Sequence, residues 1–150
     1  MNKILFYYPD HYCLNNLSAH EVRYQRVTYK TVEHAYQSQK FHDKKIAKLI
    51  QLAKSPLGAK AIAHKNTKLM RADWETIKIK TMRDIARAKI NQHPEVLKVL
   101  LSTLNKEIVE NSPDDYFWGI GKKQTGRNQM GKILMELRKE FILKKRGLSN

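Results

Sequence analysis

Apolar positions along this chain recur mostly at helical spacing, broken by short stretches that favour strands. Residues 3–8 (KILFYY) and roughly 21–29 (EVRYQRVTY) are rich in aromatic and branched side chains, and the second partly alternates. Thr31 can N-cap a helix over 32–42, with Val32, Tyr36 and Phe41 as its apolar side. A second helix is expected over about 43–53, closed by Ser55-Pro56, and Pro56 then suits the first turn of a third over about 56–64. Asp73 is the expected cap of a fourth, about 74–91, with Trp74, Ile77, Thr81, Ile85 and Ala88 along one side. Pro94 opens a fifth, with Leu97, Leu100, Leu101 and Leu104 facing a core and Asn105 in the turn. Residues 106–110 (KEIVE) form a short predicted strand. A final amphipathic helix runs through Met130, Ile133, Leu134, Leu137 and Phe141.

Between the last two elements the periodicity breaks. Residues 111–131 (NSPDDYFWGIGKKQTGRNQMG) hold four of the six glycines, and long loops in compact domains are disproportionately functional. The chain shows no internal repeat, low-complexity tract or linker. The predicted class is α+β: a predominantly helical single domain over residues 1–150, with a small sheet built from the N-terminus and the 106–110 segment. A basic C-terminal tail follows from about 142.

Composition narrows the partners. The net charge is +15, from 29 Lys and Arg against 14 Asp and Glu. Such an excess concentrates phosphates, nucleotides and nucleic acid, although a lysine-rich proteome gives the same balance. The lysines are spread along the chain, and only Lys139 through Arg146 is dense. Cys13 is the single cysteine, so no disulfide framework is expected. His20, His42, His64 and His93 show no ligand spacing, so no metal is expected. No apolar run reaches 18 residues, which excludes a membrane-spanning helix. MNKILFYY suits a strand better than a signal peptide. A cytoplasmic setting follows as the expectation.

Chemistry is concentrated in three stretches. In TVEHAYQSQKF (31–41), Glu33, Gln37 and Lys40 fall at i, i+4 and i+7, so one helical face carries an acid, an amide and an amine. Matching to the helix dipole explains Glu33 by itself, but not the other two. His34 suits a half-buried imidazole with its own partners better than a base. In RADWE (71–75), Arg71 can clamp a phosphate and Trp74 can stack on a base, or Trp74 can be core. DDYFWGIG joins two acids, an aromatic pair and two glycines. TGRNQMG then enters the last helix with Asn128 at its N-cap, a position suited to an anion.

Taken in order, TVEHAYQSQKF, RADWETIK with Met82 beyond it, LLSTLNKEIVENSPDDYFWGIG and TGRNQMGKILMELR resemble the NADAR (YbiA-like) domains over roughly residues 5–140. The chain departs from that pattern at Leu17, at the Gln25-Arg26 turn, at His64 and at Met130. The resemblance implies an N-glycosidase that cleaves the C–N bond of a phosphorylated ribosyl compound without a cofactor. The substrate is either ADP-ribose on guanine of nucleic acid or an early riboflavin-pathway ribosylamino-pyrimidine phosphate. It further implies that Glu33, or else Asp114, supplies the carboxylate that an oxocarbenium-like transition state needs. Lys40 is the alternative, as a nucleophile forming a Schiff base. Gln37 then holds a sugar hydroxyl, with His34 and Trp74 also facing substrate. Trp118, Gly119 and Gly121 cover the base or sugar, and Asn128, Arg138 and Arg71 hold phosphate. The competing readings are a non-catalytic ADP-ribose or nucleotide-binding module and a basic nucleic-acid-binding protein.

Overall fold

The computed structural model describes residues 2–147. It is α+β, with six α-helices and four short strands in two separate two-stranded sheets. Its contacts fall into two compact units: Asn16–His93, and the flanking stretches up to Asn15 and from Pro94.

The unit Asn16–His93 begins with a hairpin. Strands β1 (Val22–Tyr24) and β2 (Val27–Tyr29) pair antiparallel, with Val22 opposite Tyr29. Gln25 and Arg26 turn between them at φ 48° and 68°. Two-residue hairpin loops with both φ positive favour Asn-Gly, and other residues adopt them at a cost of about 1 kcal/mol each. Helix α1 (Val32–Ser38) is capped by Thr31, whose hydroxyl accepts the His34 N–H at 3.2 Å. The helix was expected to reach residue 42 but ends at Ser38. The Lys40 and Phe41 N–H groups donate three residues back, to Gln37 and Ser38, and this tightening turns Phe41 into the core. Helix α2 (Lys44–Gln51) is capped by Asp43, and α3 (Pro56–Lys65) by Ser55 with Pro56 in its first turn. Phe41, Ile46, Ile50, Ala53, Ala59 and Ala63 form the core they share. Helix α4 (Trp74–Gln92) buries Trp74, Thr81 and Ile85 of the expected side and leaves Ile77 and Ala88 half-buried. The expected cap fails here, because the Asp73 carboxylate is taken by Arg71 at 2.6 and 2.9 Å instead of capping.

The other unit contains a parallel pair. Strand β3 (Lys3–Phe6) lies beside β4 (Glu107–Glu110), with Phe6 opposite Glu110, which is the predicted sheet. Helix α5 (Pro94–Ser102) buries Val96 and Leu100. Leu104 was expected in the core but is 68% exposed, because the chain turns there at φ 53°, one residue before Asn105. Helix α6 (Gln129–Lys145) packs on β4 and buries all five expected apolar positions. Residues 142–145 of the expected tail are its last turn.

Candidate active site

Every residue of α1 is buried, polar ones included, so each polar group needs a partner. His34, 1% exposed, is satisfied at both ring nitrogens: Nδ1 meets Thr31 Oγ1 at 2.9 Å and Nε2 meets the Ala53 carbonyl at 3.1 Å. The Nε2 bond to a carbonyl requires a proton there, so Nδ1 accepts from the threonine hydroxyl. Burial holds the imidazole below its usual pKa, and the charge of Lys30 adds to this while the Ala53 bond opposes it. His34 is therefore fully buried rather than half-buried, a neutral strut between α1 and the end of α2. Ser38 Oγ donates to the Ala47 carbonyl.

Glu33 and Gln37 behave differently. The Gln37 Nε2 donates to Glu33 Oε1 at 2.6 Å. Gln37 is 4% exposed, and its carbonyl oxygen has no hydrogen-bond partner. A buried acceptor left unmet costs about 1–3 kcal/mol, and among the described residues Glu110 Oε2 on the other unit is a second such atom.

Lys40 follows in the turn after α1. Its amine sits 5.3 Å from the Tyr36 ring centre and 5.8 Å from that of Trp74. No hydrogen bond or ion pair to a described residue engages it. Burial pushes its pKa down, Lys60 and Lys78 push the same way, and Glu33 and Glu75 oppose. Gln37, Lys40 and Trp74 share the wall of a cleft of about 450 Å³ with Leu57, Lys60 and His64 from α3. Trp74 is 3% exposed and tilts against Tyr36 at 5.0 Å, so it is both core and cleft wall. Arg71 donates its backbone N–H to the Lys40 carbonyl at 2.8 Å, which ties the turn, while its guanidinium is engaged by Asp73. Sequence reasoning missed Lys60 and His64. The available signal was local charge: residues 40–71 hold nine lysines and arginines against one aspartate, so the cations are not evenly spread.

The glycine-rich loop belongs to the other unit and spends its polar groups on itself. Asp115 Oδ1 accepts the N–H groups of Phe117 and Trp118 at 2.9 and 2.7 Å. Backbone N–H groups of residues 127–130 donate to carbonyls of 116–119. Asn128 stands at the N-cap position of α6 without capping it. Its amide accepts the Glu110 N–H and donates to the Ile108 carbonyl, both at 2.9 Å. A Cβ on Gly119 would lie 2.8 Å from the Glu110 carbonyl oxygen, and one on Gly131 would collide with that of Ile108. These glycines let backbone meet backbone. Gly121 beside them is buried, and Trp118 is half-buried, edge-on to Phe117 at 4.9 Å. Arg138 is buried, donating to Thr103 Oγ1 at 2.7 Å and to the Lys106 carbonyl at 2.8 Å. Asp114 is exposed. A second cavity, of about 670 Å³, lies in this unit against β3 and the α6 start, with Lys3, Glu107, Arg127 and Lys132 on its lining.

Thus the structure gathers Gln37, Lys40 and Trp74 on one cleft with Glu33 bonded behind them. It places Asp114, Trp118, Gly119, Gly121, Asn128 and Arg138 on the other unit. Among the described residues, no cluster of three His, Cys, Asp or Glu side chains could hold a metal ion. No helix among them is long and apolar enough to cross a membrane.

Residues 5–142 match the NADAR domain family, and the chain belongs to it. A Nostoc punctiforme protein named as an N-glycosidase is 40% identical over 132 residues, covering 86% of this chain and 85% of that protein. The Escherichia coli N-glycosidase YbiA is 35% identical over 136 residues, covering 91% of this chain and 85% of its own. The solution structure of E. coli YbiA superimposes with a TM-score of 0.89 at 34% identity, over 99% of this chain and 89% of that one. The maize riboflavin biosynthesis protein PYRR is 40% identical over 125 residues, which are 77% of this chain and 20% of the longer protein.

Proposed function

We propose that this protein is an N-glycosidase that hydrolyses the C–N bond between a phosphorylated ribose and a base-like nitrogen, with Lys40 as the attacking group. Relatives named as N-glycosidases that align over nearly the whole chain support the reaction class. The observation that carries the site is the shared cleft wall: Lys40, its amine pushed toward the neutral form, stands there with Gln37 and Trp74.

The chemistry balances as follows. The neutral Lys40 amine bonds to the anomeric carbon, and the C–N bond breaks with its electron pair leaving on the base nitrogen. That nitrogen takes up the proton that Lys40 sheds, with Glu33 as carrier. The bond from the anomeric carbon to the ring oxygen breaks, the oxygen takes a proton from solvent, and the open sugar is left as a protonated imine on Lys40; that proton returns to solvent when water hydrolyses the imine. Water adds to the imine carbon, the lysine departs as the free amine, and the sugar is released. The net reaction consumes one water. Gln37, on the cleft wall, is placed to hold a sugar hydroxyl. Its amide also holds the Glu33 carboxylate in place. Trp74 and Tyr36 give the amine an aromatic bed that moderates its desolvation.

Two substrates fit this chemistry. The name of the maize relative favours a ribosylamino-pyrimidine phosphate of riboflavin synthesis. The cationic run over residues 40–71 favours ADP-ribose on guanine of nucleic acid. A side-by-side turnover assay of both separates them: release of ADP-ribose identifies the second, and release of ribose 5-phosphate alone the first. Silence in both tubes from folded protein would overturn the reading in favour of a binding module.

A further inference from the structure

The reaction proposed above needs a place for the substrate's phosphate. The three residues singled out for it from sequence are engaged elsewhere. Arg71 is held by Asp73, Asn128 bridges to β4, and Arg138 is bound to Thr103 and Lys106. The cleft carries its own cations instead. Lys60 and His64 both line it, four residues apart on α3, which places them one above the other on a single helix face.

We propose that Lys60 and His64 form an anion subsite of the cleft that takes the phosphate of the ribosyl substrate; this rests on the N-glycosidase reading. Four observations support it. Neither side chain makes a hydrogen bond or ion pair to a described residue, so both remain available. Lys60 lines the same cleft as Lys40, which sets the subsite on the wall that carries the attacking amine. Glu75 also lines the cleft and would repel an anion, but Lys78 is paired with it. The surrounding stretch, residues 40–71, is almost free of acids. The Thr67 hydroxyl donates to the His64 carbonyl at 2.6 Å, so it contributes no donor to a phosphate. A cleft of about 450 Å³ is of a size that holds a small ligand.

The test is calorimetric titration of ribose 5-phosphate, with ribose as the unphosphorylated probe and ADP-ribose as the diphosphate probe. Lys60→Ala should weaken ribose 5-phosphate binding by about tenfold or more, the loss of a hydrogen bond to a charged group. His64→Ala should weaken it severalfold, whereas ribose should bind all forms alike. Lys65→Ala, which removes an exposed lysine of α3 that does not line the cleft, should change little. ADP-ribose losing affinity in parallel shows that the subsite takes a diphosphate, and ribose 5-phosphate alone doing so restricts it to a monoester. Equal losses in Lys60→Ala and Lys65→Ala, wild-type affinity in Lys60→Ala, or no saturable ribose 5-phosphate binding would overturn the subsite. Failure of the two ideas is separable. Lys60-dependent binding without turnover of either substrate sinks the N-glycosidase reading and leaves the subsite. Turnover with an unchanged KM in Lys60→Ala does the reverse.

Discussion

Residues 31–41 and 111–131 look equally functional on paper, yet they differ in what they do with their polar groups. The loop's polar groups are engaged within it and with β4: Asp115 caps two amides, Asn128 bridges to β4, and Gly119 and Gly131 bring backbone against backbone. The helix and its exit leave a surplus, in the unmet Gln37 oxygen and the Lys40 amine. A segment that satisfies itself holds the fold. The segment that buries polar groups and leaves some unmet is the one where the site is proposed.

Substitutions should therefore separate the two regions by readout. The largest effects belong to the helix and fall on catalysis. Glu33→Gln and Lys40→Ala should each lower turnover by about 10²–10⁴-fold with the fold retained, checked by kinetics beside circular dichroism. Lys40→Met should in addition melt higher near neutral pH. A lowered lysine pKa means that the folded state binds the proton less well than the unfolded state, so the charged amine costs stability below the unfolded pKa. By the same sign, kcat/KM should rise with pH and level off below the ordinary lysine value of about 10.4.

The next effect belongs to the loop and falls on stability. Gly131→Ala forces a methyl into the Ile108 carbonyl and should cost about 3 kcal/mol or more, read from denaturant unfolding. A smaller effect sharpens the contrast within the helix. His34 is depressed by burial, so protons bind the unfolded chain preferentially as pH falls below about 6.5, and stability should drop there. His34→Gln should flatten that slope, and an unchanged slope would remove the imidazole from the account. The smallest effect is expected at Asp114→Asn. This exposed acid should change stability by less than about 0.5 kcal/mol and turnover little, and a large kinetic loss would return it to the chemistry.

Much of the fold was legible because its signals are local. Thr31, Pro56 and Pro94 announce helix starts, and the α6 stripe from Met130 to Phe141 is buried as its spacing requires. The pairing of β3 with β4 was also readable, since both segments carry β-rich composition. Misses occurred where another contact or turn outweighed the rule read from the sequence. Asp73 goes to Arg71 rather than its own helix end, and α1 stops early so that Phe41 can turn inward. Leu104 is exposed because the chain reverses at that residue. For the candidate site, the i, i+4, i+7 stripe puts Gln37 and Lys40 on one cleft wall with Glu33 bonded to Gln37, whereas Lys60 and His64 join that wall only because α3 meets it in three dimensions. The glycines are ambiguous in sequence for a related reason: close approach to a ligand and close approach to backbone need the same residue.

The most direct test of Lys40 as the attacking group is reductive trapping. Borohydride is added during turnover, and the peptide containing residue 40 is weighed by mass spectrometry. The account predicts an adduct fixed to Lys40, phosphoribosyl or ADP-ribosyl according to the substrate used, absent without substrate and absent in Lys40→Ala. Continued turnover with no adduct on Lys40 would contradict it.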